Sequence, residues 1–141
     1  MHISRSVDVD ASAATVWGIW TDVERWPEWN ETVHAVRRLD DGPLHVGSVV
    51  RVKQPRLPAA VWRTTEVDEG RMFVWVTRSV GVTTVGRHRI ESRGEGSTTV
   101  TASVDFGGAL GPLVGRLGTG LTRRYLAMEV GGLKARCEGT A

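Results

Sequence analysis

Between residues 32 and 106 the chain reads as an unbroken succession of β segments whose connectors are too short to hide a helix. The segments fall near 32–40, 47–54, 60–68, 72–79, 82–93 and 97–106. Turn signals separate them: Asp41-Gly42-Pro43, Pro55 with Pro58, Asp68-Glu69-Gly70, Gly81, and Gly94-Glu95-Gly96. Parallel neighbours need crossovers of about a dozen residues, so consecutive strands here must run antiparallel. An earlier stretch, His2 to Asp10, carries Ile3, Val7 and Val9 and adds a first strand. Ser12 then suits the N-cap of a helix through Val16, Trp17 and Trp20, and Asp22 opens a second short helical turn limited by Pro27.

After Phe106 the period changes. Leu110, Leu113, Val114, Leu117, Leu121, Tyr125 and Met128 recur at helical spacing, and Val130, Leu133 and Cys137 continue a neighbouring stripe. This predicts one long helix from about 110 to 137. Its glycines, including Gly111, Gly115, Gly118, Gly120, Gly131 and Gly132, each cost about 1 kcal/mol relative to alanine in a helix interior. They predict a frayed or kinked first half, or close packing that admits only small residues.

The order implies an α+β fold: a seven-stranded curved antiparallel sheet around a long C-terminal helix, with two short helices after the first strand. At 141 residues the chain suits one domain, 1–141. The sheet must bury its apolar face, and only the last helix is long enough to cover it. A narrow helix does not fill a strongly curved sheet, so the expectation is an apolar cavity between them, the usual form of a small-molecule site.

Composition narrows the partners. Hydrophobic residues make up 40% and charged residues 24%, an ordinary globular balance. The net charge is +2 and the basic residues are scattered, which argues against nucleic acid. The chain begins with a strand pattern rather than a leader, and no run of about 18 apolar residues occurs. The expectation is a cytoplasmic protein without stable membrane insertion. The single cysteine, Cys137, has no thiol motif around it and reads as a helix residue. The histidines at 2, 34, 45 and 88 lack the close pairing of a zinc motif. The stretch Gly107-Gly108-Ala109-Leu110-Gly111 lacks the Lys-Ser/Thr ending of a phosphate loop. No metal and no cofactor are expected.

Ser12 to Trp29 reads SAATVWGIWTDVERWPEW. With Val16-Trp17, Asp22, Trp26-Pro27 and Trp29, it resembles the signature of the START-like (SRPBCC) superfamily, in particular its polyketide cyclase/dehydrase-type branch. Val46-Gly47-Ser48, Gly86-Arg87-His88-Arg89-Ile90 and Leu133-Lys134-Ala135-Arg136 extend the likeness over nearly the whole chain. The resemblance implies the helix-grip fold, whose members bind sterols, lipids, polyketides and other hydrophobic ligands. A subset of them cyclises, aromatises or dehydrates polyketide chains. Fold alone does not choose among these activities.

Strand parity supplies candidate site residues. His88 shares parity with Thr84, Gly86 and Ile90, so it points inward if Ile90 does. There it serves as hydrogen-bond donor, as general acid or base, or simply as a satisfied interior histidine. Trp75 shares parity with Phe73, and both are candidates for the cavity wall. Trp26 is placed at the cavity mouth. Trp62, of opposite parity to Val67, is expected on the outer face or edge. Arg63 shares parity with Thr65 and Val67, so it is expected inside, where it would need a carboxylate such as Glu129 or Glu31, or a ligand anion. Leu121, Tyr125 and Met128 lie on the helix stripe expected to face the sheet, and Tyr125 offers a hydroxyl.

Three functions remain open: a carrier or sensor of a small hydrophobic molecule, lipid or polyketide-like; a cyclase, aromatase or dehydratase acting on such a molecule by acid/base chemistry, with His88 as the catalytic candidate; and an interaction module whose cavity has collapsed.

Overall fold

A computed structural model describes residues 1–139. Seven strands form one antiparallel sheet in the order β1-β7-β6-β5-β4-β3-β2. They are β1 (His2–Val9), β2 (Ala35–Arg38), β3 (Val49–Lys53), β4 (Ala60–Asp68), β5 (Met72–Ser79), β6 (Val82–Ser92) and β7 (Thr98–Gly107). Strands β2 to β7 are hairpin-connected neighbours, as the short connectors require. β1 returns to the far edge and pairs with β7 from His2↔Asp105 to Val9↔Thr98.

Helix α1 (Ala13–Thr21) starts as its sequence dictates: the Ser12 hydroxyl accepts from the Thr15 amide at 3.1 Å. Its buried residues are Val16 and Trp20. A 3-10 turn, Val23–Glu28, contains Pro27 and buries Val23 and Trp26. The Trp26 carbonyl then accepts from the amides of Trp29 and Asn30, which fixes the corner.

The long C-terminal helix is divided. Residues Gly111–Leu117 form α2 and Thr119–Cys137 form α3, with Gly118 between them. The expected kink is therefore a break in the helix at Gly118. The face also differs from expectation. The buried line of α3 is Leu126, Val130 and Leu133, whereas Leu121, Tyr125 and Met128 are only half-buried on its flank. The helix backbone lies along β1, β7 and α1. The middle strands are covered instead by the aromatic side chains of α1, the 3-10 turn and the sheet itself.

β4 corrects a second expectation. Its register with β5 runs Arg63↔Val76 and Thr64↔Trp75, then jumps to Glu66↔Val74. This β-bulge leaves Thr65 unpaired and reverses side-chain parity across it. Trp62 and Thr64 consequently face inward with Val67, and Arg63 turns out to solvent. Expecting alternation to hold through the strand put both residues on the wrong side.

Candidate functional site

The interior is an aromatic shell around one imidazole. His88 and Phe73 sit opposite each other on β6 and β5, and their rings stack at 4.0 Å with 5° between planes. Trp20 and Trp75 meet the imidazole edge-on at 5.2 and 5.0 Å, and Trp26 tilts over it at 5.8 Å. Gly86, paired with Trp75, makes room for this: a Cβ there would stand 3.0 Å from the Trp75 ring nitrogen. Trp62 extends the shell, 5.7 Å from Trp75.

One carboxylate reaches into the shell from α3. Glu129 Oε2 lies 3.8 Å from His88 Nε2, and Trp20 Nε1 donates to the same oxygen at 3.1 Å. His88 Nδ1 lies 3.1 Å from the Phe73 carbonyl oxygen. A carbonyl only accepts, so Nδ1 carries the hydrogen and Nε2 presents its lone pair toward Glu129. At 3.8 Å the pair is too far apart for a hydrogen bond.

Burial governs both groups. It pushes the Glu129 carboxyl up from 4.5 to about 7, against the smaller opposing pull of the Trp20 hydrogen bond. It pushes the His88 imidazole down from 6.5 to about 3, although the Phe73 carbonyl favours the protonated form. Near neutral pH the imidazole is thus neutral and the carboxyl is poised to give or take a proton. The side chains are 5% exposed for His88 and 13% for Glu129, so the carboxyl is the more reachable.

Of the residues read from the sequence, Trp26, Phe73, Trp75 and His88 come together in this shell, Trp26 buried within it rather than standing at a cavity mouth. Thr84 is half-buried on the same face of β6. Tyr125 donates its hydroxyl to the Pro55 carbonyl at 2.5 Å, which ties α3 to the β3–β4 loop. Arg63 lies outside the shell, for the parity reason given above. Sequence reasoning weighed Glu129 only as a partner for Arg63. Its spacing of three from Leu126 and four from Leu133, on the line that the structure buries, was the signal that could have found it. Thr64 was also missed: it faces inward opposite Trp75, and its buried hydroxyl has no hydrogen-bond partner among the described residues.

The space between sheet and helix is largely occupied by these rings rather than standing open. Two clefts of about 420 and 450 Å³ lie apart from the His88–Glu129 pair. The first is lined by Trp17, Thr21, Arg38, Leu44 and Val67, and the second runs past Arg71, Ile90 and Glu91. Among the described residues, no group of three His, Cys, Asp or Glu side chains is placed to hold a metal ion. Burial, aided by the Glu138 charge, pushes the Cys137 thiol up to about 11, which keeps it protonated. Among the described residues, no helix is long and apolar enough to cross a membrane.

A curved antiparallel sheet gripping a C-terminal helix, with an enclosed aromatic interior, is the helix-grip fold of START-like proteins. The chain belongs to the family described as polyketide cyclase / dehydrase and lipid transport, which it matches over residues 1–138. Among solved structures it is similar to a START-superfamily protein from Mycobacterium smegmatis, with 24% identity, 99% of each chain covered and a TM-score of 0.77. It is also similar to the Zhui aromatase/cyclase from a Streptomyces species, with 17% identity over 98% of this chain and 93% of that one and a TM-score of 0.80. A third is a norcoclaurine synthase point mutant from Thalictrum flavum in complex with a transition-state analogue, with 16% identity over 99% and 94% and a TM-score of 0.77. Identities this low carry the fold alone. No curated protein matches the sequence.

Proposed function

We propose that the chain binds a small hydrophobic molecule bearing a carbonyl or enol oxygen, lipid or polyketide-like, against the aromatic floor of the sheet. The observation that carries this reading is the Glu129–His88 pair inside the aromatic shell. A carboxyl and an imidazole buried without bonding each other destabilise a fold, and apolar residues of similar volume would serve stability better. Their use is to meet the polar end of an apolar guest. The unpartnered Thr64 hydroxyl supplies a further polar point beside Trp75. Because the rings occupy most of the interior, the guest is small and flat, and Trp62 and Trp26 shift to admit it. Native mass spectrometry of freshly purified protein should show a bound small molecule, and an apolar fluorescent probe should titrate to saturation while quenching tryptophan emission. Absence of both a guest and saturable uptake would refute the reading.

The opposed shifts of the two groups favour a second reading, acid/base catalysis on the same guest. With its pKa driven down, His88 is a weak base, so the catalytic role moves from His88 to Glu129. The Glu129 carboxylate would take a proton from the carbon beside the guest's carbonyl and return it to a β-hydroxyl that departs as water. A β-hydroxyketone chain is the substrate that tests this. Glu129→Gln should abolish dehydration and leave guest uptake intact. If wild-type protein binds the chain without turning it over, the protein is a binder.

A further inference from the structure

Helix α2 is inside out. Its buried residues are Gly111 and Gly115, which lie against the Phe106 backbone and ring and against Met1. A Cβ at Gly111 would come within 2.9 Å of the Phe106 carbonyl group, so only a glycine face lets the helix sit this close. The large apolar residues are left on the outside: Leu110 is 46% exposed, Leu113 54% and Leu117 79%. The β5–β6 turn joins them. The Leu110 amide donates to the Gly81 carbonyl, and Val80, next in the chain, is 94% exposed. An exposed run of large apolar side chains on one end of a monomer signals a surface that is covered in use.

Charge selects the cover. From Phe106 to Met128 the sequence contains no acidic residue and three arginines, Arg116, Arg123 and Arg124. Hydrogen bonds from Gly118 to Val114 and from Thr122 to Gly118 carry helical spacing across the break, so Leu113, Leu117 and Arg124 follow one stripe. All three arginines are exposed, as is Arg78 beside the Val80 turn, and none of the four forms an ion pair among the described residues. A second copy placed symmetrically on this face would set arginines against arginines. An anionic phospholipid surface accepts leucines into its acyl boundary and arginines at its headgroups.

We infer that α2 and the β5–β6 turn form a peripheral docking face for anionic phospholipid membranes, with Val80, Leu110, Leu113 and Leu117 entering the interface and Arg116 and Arg124 reading its charge. The docking crosses no bilayer, and it stands independently of what the aromatic interior holds.

Co-sedimentation of the full chain with vesicles tests this. Phosphatidylcholine vesicles containing about one-third phosphatidylserine should carry the protein down, and pure phosphatidylcholine vesicles should bind about tenfold more weakly. Leu113→Ser with Leu117→Ser should lower binding by about tenfold or more, and Arg116→Glu with Arg124→Glu by a similar factor. Leu117 is too exposed for its replacement to remove packing, and circular dichroism verifies that each variant is folded. A salt titration of the wild-type chain gives a readout free of variants, since binding should weaken steadily as salt rises. Failure to bind the anionic vesicles overturns the inference, as does wild-type binding by the leucine variant. A dimer in sedimentation equilibrium that the leucine substitutions dissociate would show instead that a second copy covers the face.

Discussion

His88 Nε2 and Glu129 Oε2 face each other at 3.8 Å across the interior, one from a middle strand and the other from the C-terminal helix. In the interior this pair sets a polar group of the sheet against a polar group of the helix. Their opposed shifts make stability depend on pH from both sides. Folded Glu129 holds its proton to about 7, whereas the unfolded chain releases it near 4.5, so stability falls as pH rises through that window. His88 binds its proton near 6.5 when unfolded and only near 3 when folded, so stability falls as pH drops through that window. The two slopes oppose each other between 4.5 and 6.5, and stability from this pair is greatest there. Urea unfolding followed by tryptophan fluorescence should show the maximum. Glu129→Gln should flatten the alkaline decline and His88→Gln the acid one. An unchanged alkaline decline in the Glu129 variant would mean that the carboxyl titrates normally.

Phe73 holds the shell together. It is fully buried, stacked on His88, and in edge contact with Trp17, Trp20 and Trp75. Phe73→Ala should destabilise the fold by about 3–5 kcal/mol, read from the urea midpoint. A loss under about 1 kcal/mol would show that the rings re-close over the gap.

The bulge in β4 gives adjacent residues opposite fates. Arg63→Ala should change stability by no more than about 0.5 kcal/mol, the usual range for a surface position. Trp62→Ala should cost about 2 kcal/mol by removing a half-buried ring from Trp75, and it should weaken uptake of an apolar probe. Thermal melts and probe titration of the two variants side by side measure the contrast. Equal losses would place the arginine inside.

Tyr125→Phe removes a hydroxyl that donates to the Pro55 carbonyl. The expected loss is about 1 kcal/mol. Limited proteolysis should also cut faster within residues 54–59, because α3 then holds that loop less firmly. Unchanged cleavage would mean that the loop is fixed by other contacts, such as Lys53 Nζ donating to the Leu57 carbonyl.

Much of this architecture is legible in the sequence because turn residues and β-branched runs are local signals. The strand segments, the Ser12 cap and the Trp26-Pro27 corner all follow from neighbours within a few positions. His88, Phe73 and Trp75 share one face of β5 and β6 as simple alternation places them, and Trp26 reaches them from the corner. Arg63 and Trp62 were misassigned because a bulge leaves no composition signature: Thr64-Thr65-Glu66 reads as ordinary strand. The leucines of α2 recur at helical spacing yet face outward, because periodicity reports that a helix has an apolar side without reporting where that side points. Glycines on the opposite side allowed a closer backbone approach, and tertiary packing followed them. Glu129 was overlooked as a site residue because a lone carboxylate in a helix ordinarily faces water, and only its proximity to Trp20 and His88 in space reveals otherwise.

The unpaired threonine in β4 has a reach beyond its own position. Were Thr65 instead paired in a regular ladder with Val67 still facing inward, the pleat would alternate from end to end and Arg63 would share the inner face with Val67. A cation on that inner face would favour the ionised form of the buried Glu129 carboxyl. One extra residue thus keeps a permanent charge off the inner face, from a strand that carries neither titrating group.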